Sequence, residues 1–281
     1  MSKTSKKIII ISLCLIILGA ILTGLGFLLG GYPGLTISRS GIRASADRAQ
    51  AYKLQKTKLD PFADVDLKIG YYMDLSILPS DDQNYYIEYL LDGNCGQPSY
   101  RVEKQTFSFY QDSRGIAFLD IGTYDLPNSI QDFYVRLYVP KDKMLGILQI
   151  YNDSGNISIS NLMADSVDIT CEYGDITLED FACNSAVLKL DSSNAYIDTN
   201  KIRNLKCDSE YGDITLLVPK NQDTYTFDIS VEYGNIQLPA DTQTGYTVNS
   251  EDDIEHYKTK GTGDNTIQVT LDSGNVEIQK R

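Results

Sequence analysis

One short phrase recurs along this chain and constrains its fold more than any other feature. Each copy has an acidic residue, a Ser or Tyr, a Gly (once a Ser), an Asn or Asp, and then alternating apolar and polar residues. The copies begin at Asp153, Glu172, Asp191, Glu210, Glu232 and Asp272. The first three intervals are 19 residues each, followed by 22 and 40. A fixed period in this range is typical of stacked repeats, and the spacing of 40 predicts two coils with one degenerate copy between them.

Apolar residues flank each turn at positions two apart, and these positions recur with the same period. The columns that begin at Leu148, Ile150, Ile157 and Ile159 stay apolar through four copies, ending at Leu205, Cys207, Ile214 and Leu216. A period of two is that of a strand with one buried face, and the Gly in the turn supplies a positive φ. The pattern predicts an all-β, single-stranded β-solenoid with 19-residue coils. The alternative is a β-sandwich with coincidental spacing, which three equal intervals argue against.

The predicted solenoid domain spans residues 60–281, and the regularity of its sequence varies. Residues 148–238 hold the regular coils. Residues 60–147 alternate like strands but without the period, so they are predicted to be irregular capping strands, as terminal repeats often are. Residues 239–281 are more polar and are predicted to form looser terminal coils.

The N-terminal segment predicts a membrane anchor. Ile8 to Leu29 is an apolar run that would span roughly 33 Å as a helix, enough to cross a bilayer. No small-residue cleavage site follows closely, so we expect an uncleaved single-pass helix over residues 8–30, preceded by a cytoplasmic terminus over 1–7. Residues 31–59 are basic and are predicted to be a juxtamembrane tether.

Flanking charge sets the expected orientation of this anchor. Lys3, Lys6 and Lys7 precede the helix, so the positive-inside rule places the N-terminus in the cytoplasm and the C-terminal domain on the extracytoplasmic side of the cell membrane. Small residues recur four apart, at Gly19 with Thr23 and at Ala20 with Gly24, which is compatible with a homodimer of helices. Gly is common in such helices without pairing, so both readings stay open.

The charge of the body excludes some partners. Removing the nine basic residues and one acidic residue of 1–59 from totals of 25 and 38 leaves 16 and 37, a net charge of −21 for residues 60–281. A body this acidic repels nucleic acid and anionic lipid, so we expect no nucleic-acid partner. Cations and basic partners are favoured.

The cysteines predict neither zinc nor a disulfide framework. Cys95, Cys171, Cys183 and Cys207 form no Cys-x-x-Cys pair, and the chain has a single His, His256. Cys171 and Cys207 lie at inward-facing positions, which predicts buried free thiols.

The sequence also lacks the motifs of common enzyme classes. It has no nucleophile elbow, phosphate-binding loop, zinc-protease motif or dinucleotide fingerprint, so we expect a non-enzymatic protein without catalytic residues or cofactor. Acidic residues are so frequent that a polysaccharide-cleaving pair of carboxylates stays an alternative.

Two columns of the repeat are candidate binding residues. Asp153, Glu172, Asp191 and Glu210 would stack about 4.8 Å apart, where Ca²⁺ could bridge neighbouring carboxylates. The alternative, which the sparse Gly-Asp pattern favours, is that these acids only shape turns and face water. Beside them, Tyr173, Tyr211 and Tyr233 suit either a partner-binding face or plain cross-strand stacking.

The order of these segments resembles a known family. An anchor and a basic tether precede Pro61 to Leu67, Asp74 to Asp82, Tyr134 to Pro140 and the repeated Ser/Tyr-Gly-Asp/Asn-Ile phrases. This order is similar to the bacterial putative-adhesin domain family, a domain-of-unknown-function family common in Gram-positive bacteria. The resemblance covers residues 60–281 and implies a β-solenoid outside the membrane with a surface or envelope role.

Together these observations predict a cell-surface protein. It would present a rigid acidic solenoid for adhesion, for interaction with the cell envelope, or for envelope-stress sensing, with a surface protein, glycan or envelope component as partner. The alternatives are a protein that binds or cleaves cell-wall polysaccharide and a regulatory partner of another membrane protein.

Overall fold

The structure is a computed structural model in two compact units. It describes residues 3–29, 35–38, 41–44, 51–93, 95–112, 117–121, 133–219, 222–239, 249–251 and 254–281. The N-terminal unit comprises Met1–Gln50 with Arg114–Gln131, and the main unit comprises Ala51–Ser113 with Asp132–Arg281.

The described elements are one α-helix, two short 3₁₀ helices and a long series of strands. The first part of the chain contains α1 (Lys3–Leu28), β1 (Leu35–Ser38), β2 (Gly41–Ala44), β3 (Tyr52–Leu59), β4 (Asp64–Ile69), β5 (Asp74–Ser80), β6 (Tyr85–Leu91), β7 (Ser99–Glu103), β8 (Thr106–Gln111), β9 (Ala117–Ile121), β10 (Tyr134–Pro140), β11 (Met144–Ser154) and β12 (Ile157–Ser160). The second part contains β13 (Met163–Tyr173), β14 (Ile176–Glu179), β15 (Ala182–Ser192), β16 (Ala195–Asp198), β17 (Ile202–Tyr211), β18 (Ile214–Val218), β19 (Tyr225–Tyr233), β20 (Ile236–Gln237), β21 (Asn249–Glu251), β22 (Ile254–Lys258), β23 (Asn265–Ser273) and β24 (Val276–Lys280), with 3₁₀ helices at Thr199–Lys201 and Gln222–Thr224.

The N-terminal unit contains α1 and a small antiparallel sheet. The sheet has the strand order β2-β1-β9. Large apolar side chains of α1 are exposed, among them Leu15 at 63% and Leu22 at 61%. Over the residues that the structure describes, no helix combines the length and the apolar character that a bilayer crossing requires. The membrane crossing predicted for residues 8–30 is therefore not confirmed.

The main unit is built from coils whose register matches the sequence period. In each regular coil a long strand of an eleven-stranded sheet is followed by a tight turn and a short strand of a ten-stranded sheet. Leu148 pairs with Val167, Val167 with Ala186, and Ala186 with Leu205, all in parallel. The column from Ile157 to Ile214 pairs in the same way. Parallel pairing at every 19-residue step confirms the solenoid and excludes an antiparallel sandwich.

The inward faces of both sheets share one hydrophobic core. The predicted apolar columns lie within it, and Ile150, Ile169, Leu188 and Cys207 are each at most 1% exposed. Burying an aliphatic side chain of this size contributes roughly 1.5–3 kcal/mol, which explains why a single coil is unstable and a stack is stable.

Two further coils lie in the region that we predicted to be irregular caps. β4 pairs in parallel with β11, which places Val65 beside Leu148, and β5 pairs with β12, which places Leu75 beside Ile157. β8 and β10 extend the same sheets by one more coil. The period was invisible in the sequence because β6, β7 and part of the N-terminal unit interrupt these coils along the chain.

At the other end, the order of the coils in space differs from their order in the chain. β23 lies between β17 and β19, and β24 lies between β18 and β20. The copy at Asp272 therefore stacks directly on the copy at Glu210, and the copy at Glu232 lies outside both. The predicted degenerate coil between Glu232 and Asp272 is wrong. The described strands of that segment, β21 and β22, instead run antiparallel on the outer side of β19.

Antiparallel strands also cover the opposite end. β7 pairs with β8, while β6 and then β3 continue from β10. β3 belongs to the main unit, although residues 52–59 fall in the predicted tether. Its Lys53, Lys56 and Lys58 are exposed, and lysines on an edge strand discourage the addition of strands from other chains.

The cysteines of the main unit behave as small apolar residues. Cys95, Cys171, Cys183 and Cys207 are buried and form no disulfide. Burial raises the pKa of the Cys207 thiol to about 12, so this thiol stays protonated and unreactive at neutral pH.

Candidate functional site

The repeated phrases lie side by side and form one continuous surface, which we call the turn ridge. In spatial order its residues are 71–74, 153–156, 172–175, 191–194, 210–213, 272–275 and 232–235. The first of these segments belongs to the coil of β4 and β5. Met73 N–H donates to the Ser154 carbonyl at 3.1 Å, and Gly155 N–H donates to the Tyr173 carbonyl at 2.9 Å. Met73 is therefore the equivalent of Gly155 in its coil.

The third position of the phrase sets how closely the coils can approach. Gly155 and Gly174 have φ values of 111° and 132°, in the region that side chains rarely adopt. A Cβ on Gly174 would collide with the Gly155 carbonyl of the neighbouring coil. At Gly155 and Gly174, glycine is therefore required both by the turn and by the contact between coils.

The fourth position forms a hydrogen-bonded ladder in which Asp and Asn alternate over six coils before it ends in a second Asn, Asn235. Asn156 N–H donates to Asp74 Oδ1 at 3.0 Å, and Asp175 N–H donates to Asn156 Oδ1 at 2.9 Å. The same pattern continues through Asn194, Asp213, Asn275 and Asn235. Each carboxylate thus has amide donors as neighbours on the ladder, and like charges are not stacked at this position.

The first position forms an acidic column in which Asp and Glu alternate. In spatial order it consists of Asp153, Glu172, Asp191, Glu210, Asp272 and Glu232. Glu side chains are longer than Asp side chains, so the alternation staggers carboxylates that would otherwise stack about 4.8 Å apart.

Glu172 accepts a hydrogen bond from the Tyr151 hydroxyl and also acts on the neighbouring Asp153. Tyr151 Oη donates to Glu172 Oε1 at 2.6 Å, and this bond is the main reason that the pKa of Tyr151 rises to about 12. Burial, together with the charge of Glu172, raises the pKa of the Asp153 carboxyl above its usual range. Neutralising the Asp153 carboxyl, by a proton or by a basic partner, is therefore favourable here.

The structure brings the predicted calcium ligands into one column but does not gather them around a point. Asp153, Glu172, Asp191 and Glu210 follow one another on successive coils. Among the described residues, no three His, Cys, Asp or Glu side chains are close enough to hold one metal ion. The four acids thus have the linear arrangement that calcium bridging between coils needs, but among the described residues they do not form a clustered site.

The second position forms a tyrosine column with a two-coil period. Tyr173, Tyr211 and Tyr233 lie on it as predicted, with exposed fractions of 52%, 57% and 61%. Tyr72, which the repeat pattern did not predict, occupies the equivalent position and is 55% exposed. Its phrase lacks Gly, but Asp74-Leu-Ser-Ile77 matches Asp175-Ile-Thr-Leu178 and could have revealed it. Between the tyrosines lie Ser154, Ser192 and Ser273.

A shallow groove of about 380 Å³ runs along the acidic column. Its lining includes Glu172, Asp191, Glu210 and Asp272, together with Asp208 and Lys189. The acids face the groove from successive coils, so the groove offers a line of negative charge beside the exposed tyrosine rings. His256 is exposed on β22, where it pairs with Ser230 of β19.

Solved structures from two bacteria match most of the chain at low sequence identity. A putative cell adhesion protein from Clostridium sporogenes is 12% identical with a TM-score of 0.44, and the match covers 83% of this chain and 100% of that one. A putative adhesin from Bacteroides fragilis is 12% identical with a TM-score of 0.38, covering 82% and 96%. No curated protein matches the chain significantly.

The family comparison covers the main unit almost completely. A model of the Toastrack DUF4097 family matches residues 65–206 and again residues 189–279. These two matches include the strands from β4 to β24 that build the solenoid, with the turn ridge inside them. The chain therefore belongs to the Toastrack DUF4097 family.

Proposed function

We propose that this chain is a non-enzymatic cell-surface protein whose main unit holds the turn ridge rigidly for contact with a partner. The observation that carries the proposal is the constant register of the ridge over six coils, which residues 71–74 extend to a seventh with one extra residue in the turn. Exposed tyrosines lie at fixed places on it. A Tyr ring supplies a large amphipathic contact area, and a side chain on a rigid backbone loses little conformational entropy on binding.

The charge of the ridge supports a basic partner. The acidic column and the groove present carboxylates on six successive coils, and burial together with the charge of Glu172 raises the pKa of Asp153 above its ordinary value. A partner with Lys or Arg side chains relieves this repulsion when it binds, whereas an anionic surface increases it.

The N-terminal helix is the proposed anchor of this scaffold. Its sequence is apolar on all faces, and Ile16 and Leu25 are 67% and 50% exposed. Such a helix is stabilised by an apolar environment around it, and the preceding lysines favour a cytoplasmic N-terminus. The main unit would then lie outside the cell membrane.

The topology is tested in intact cells that produce the full chain with an epitope tag after Arg281. We expect the tag to be accessible to antibody before the membrane is permeabilised, and the protein to sediment with membranes after washing in high salt. A tag that is detected only after permeabilisation would contradict the extracytoplasmic placement.

The binding role is tested by retention of the full chain on isolated cell-envelope fractions. We expect the double variant Tyr173→Ser, Tyr211→Ser to lose retention, because it removes the centre of the tyrosine column. Tyr196→Ser is the matched control, since Tyr196 is 37% exposed on β16, outside the ridge. Equal retention of the wild type and both variants would show that the ridge is only scaffold.

A further inference from the structure

The spacing of the tyrosine column is a feature that the stacking of the coils alone does not require. Tyrosines occupy every second coil, at Tyr72, Tyr173, Tyr211 and Tyr233, and serines occupy the coils between them. Ser192 is exposed, and Ser154 and Ser273 are half-buried, so each serine leaves a notch between two larger rings. The column therefore presents three notches in a row, with the acidic column along one side.

The period of these notches selects among extended ligands. Neighbouring strands lie about 4.8 Å apart, so tyrosines two coils apart are separated by roughly 9.6 Å. A polyproline II helix advances about 9.3 Å per turn of three residues. A β-strand repeats its side chains over roughly 6.6 Å, and an α-helical turn rises about 5.4 Å. Of these three peptide conformations, polyproline II matches the notches.

Charge complementarity selects the composition of such a ligand. Glu172, Asp191, Glu210 and Asp272 line the groove beside the notches, and Lys189 is the only base among the described residues that line it. A polyproline II segment carries side chains along several edges, so prolines can face the notches while Lys or Arg side chains face the carboxylates.

We propose that the turn ridge binds a basic, proline-rich segment of another protein in the polyproline II conformation, with proline rings in the notches at Ser154, Ser192 and Ser273. This rests on the ridge being a binding surface, as proposed above. From Tyr72 to Tyr233 the column spans six coil spacings, roughly 29 Å, which corresponds to about nine residues of polyproline II. The aromatic rings bind the preformed helix at little entropic cost, and the carboxylates provide the preference for positive charge.

The probe is a fluorescent nine-residue peptide with three Pro-Pro-Lys repeats, titrated into the full chain in detergent and followed by fluorescence anisotropy. A peptide with three Gly-Ser-Lys repeats has the same charge but no preformed helix, and we expect it to bind about tenfold more weakly. A peptide with three Pro-Pro-Glu repeats should not bind. Affinity for the Pro-Pro-Lys peptide should fall as salt is raised.

Two substitutions distinguish specific binding in the notches from nonspecific binding to the acidic aromatic surface. Tyr211→Ser should weaken binding of the Pro-Pro-Lys peptide about tenfold, since it removes a wall that two notches share. Ser192→Tyr should weaken it too, because the new ring fills the central notch, although it adds aromatic surface. Tyr196→Ser should leave the affinity unchanged. Circular dichroism on each variant confirms that the fold is retained.

The possible results separate this proposal from the broader one. Tighter binding by Ser192→Tyr, or equal binding of the Gly-Ser-Lys peptide, would overturn the polyproline II proposal and leave a nonspecific acidic aromatic surface. Tyr-dependent binding of a chitin-type oligosaccharide with no binding of the Pro-Pro-Lys peptide would also overturn it, while the binding role of the ridge would stand. If the envelope-fraction experiment also shows no Tyr dependence, the binding role fails with it.

Discussion

At the residue scale, the turn ridge is ordered by an alternation that the chain order partly conceals. Copies that begin Asp-Ser and copies that begin Glu-Tyr follow one another strictly in space, from Asp153 to Glu232. In the chain, two Glu-Tyr copies are consecutive, at Glu210 and Glu232, and the Asp-Ser copy at Asp272 comes last. Inserting the last copy between the other two restores the alternation, so long and short side chains interleave along both columns.

A glycine of the ridge gives the first prediction. Gly174→Ala should reduce the free energy of unfolding by at least about 1–3 kcal/mol, because its φ of 132° disfavours a side chain and the new Cβ meets the Gly155 carbonyl. Urea denaturation followed by circular dichroism measures this. Ser193→Ala is the control, since Ser193 occupies the same position in its coil without a positive φ. A comparable loss there would refute the explanation.

Asp153 gives a prediction about pH. Its carboxyl has a pKa above the ordinary value of 3.8, mainly through burial and also through the charge of Glu172. The folded state therefore binds this proton more tightly than the unfolded chain does, so the contribution of Asp153 to stability is full below pH 3.8 and is lost as the pH rises through the raised pKa. Asp153→Asn should stabilise the protein at pH 7 but not at pH 3. Thermal melts at the two values check this, and equal shifts at both would contradict it.

At the element scale, antiparallel strands cover both sheets at one end of the solenoid and the eleven-stranded sheet at the other, where β20 stays the edge of the ten-stranded sheet. The outermost coils, β8 with β10 and β19 with β20, are not the first and last coils of the chain, and antiparallel strands lie against both of them. Parallel coils leave open edges that can pair with other molecules, whereas antiparallel strands and edge lysines block such growth.

The inserted coil gives a prediction about cooperativity. Deleting residues 265–281 should abolish cooperative thermal unfolding and cause aggregation, because it removes the partners of β17, β18, β19 and β20 together. Circular dichroism and size-exclusion chromatography measure both effects. Adding the peptide 265–281 should restore the melt in part. If the truncated chain still melts cooperatively with a slightly lower midpoint, the coil of β23 and β24 lies at the end of the stack, and its placement between β17 and β19 would be contradicted.

Arg281 ties several coils together and gives the next prediction. Its guanidinium contacts Asp180 at 3.3 Å and the buried Asp198 at 3.2 Å, and its backbone N–H donates to the Val218 carbonyl at 2.9 Å. Arg281→Ala should lower the urea midpoint, since it leaves the Asp198 carboxylate buried without a cation. Arg281→Lys should lower the midpoint less. No change in either variant would show that the contacts contribute little.

At the scale of the whole molecule, charge is the dominant property. The chain carries a formal net charge of −13, and the acidic column concentrates part of the negative charge on one surface. Self-repulsion of this kind destabilises the folded state, and salt screens it over about 10 Å at 0.1 M.

Salt and calcium therefore give a paired prediction. The melting temperature of the full chain should rise modestly between low salt and about 0.5 M NaCl, through screening alone. CaCl₂ at matched ionic strength should give the same rise, because the acids are spread along a column. A clearly larger rise with CaCl₂, with heat of binding in calorimetry, would instead favour calcium bridging between Asp153, Glu172, Asp191 and Glu210.

Local pattern was sufficient for the repeating part of the fold. The register from Leu148 to Leu205, the buried thiol of Cys207 and the acidic and tyrosine columns all follow from apolar residues two apart repeated every 19 residues. In a stack each coil contacts its neighbours in the same way, so one interval in the sequence specifies one contact in space.

Tertiary structure decided what interrupts that pattern. The coils at Val65 and Phe107, the place of Tyr72 on the ridge and the insertion of the copy at Asp272 depend on pairings between segments separated by insertions. Backbone hydrogen bonds between parallel strands are alike for every pair of coils, so distance along the chain does not identify the partner. The choice is made by how side chains of different length fit across neighbouring coils and by which edges stay open, and both are properties of the folded stack.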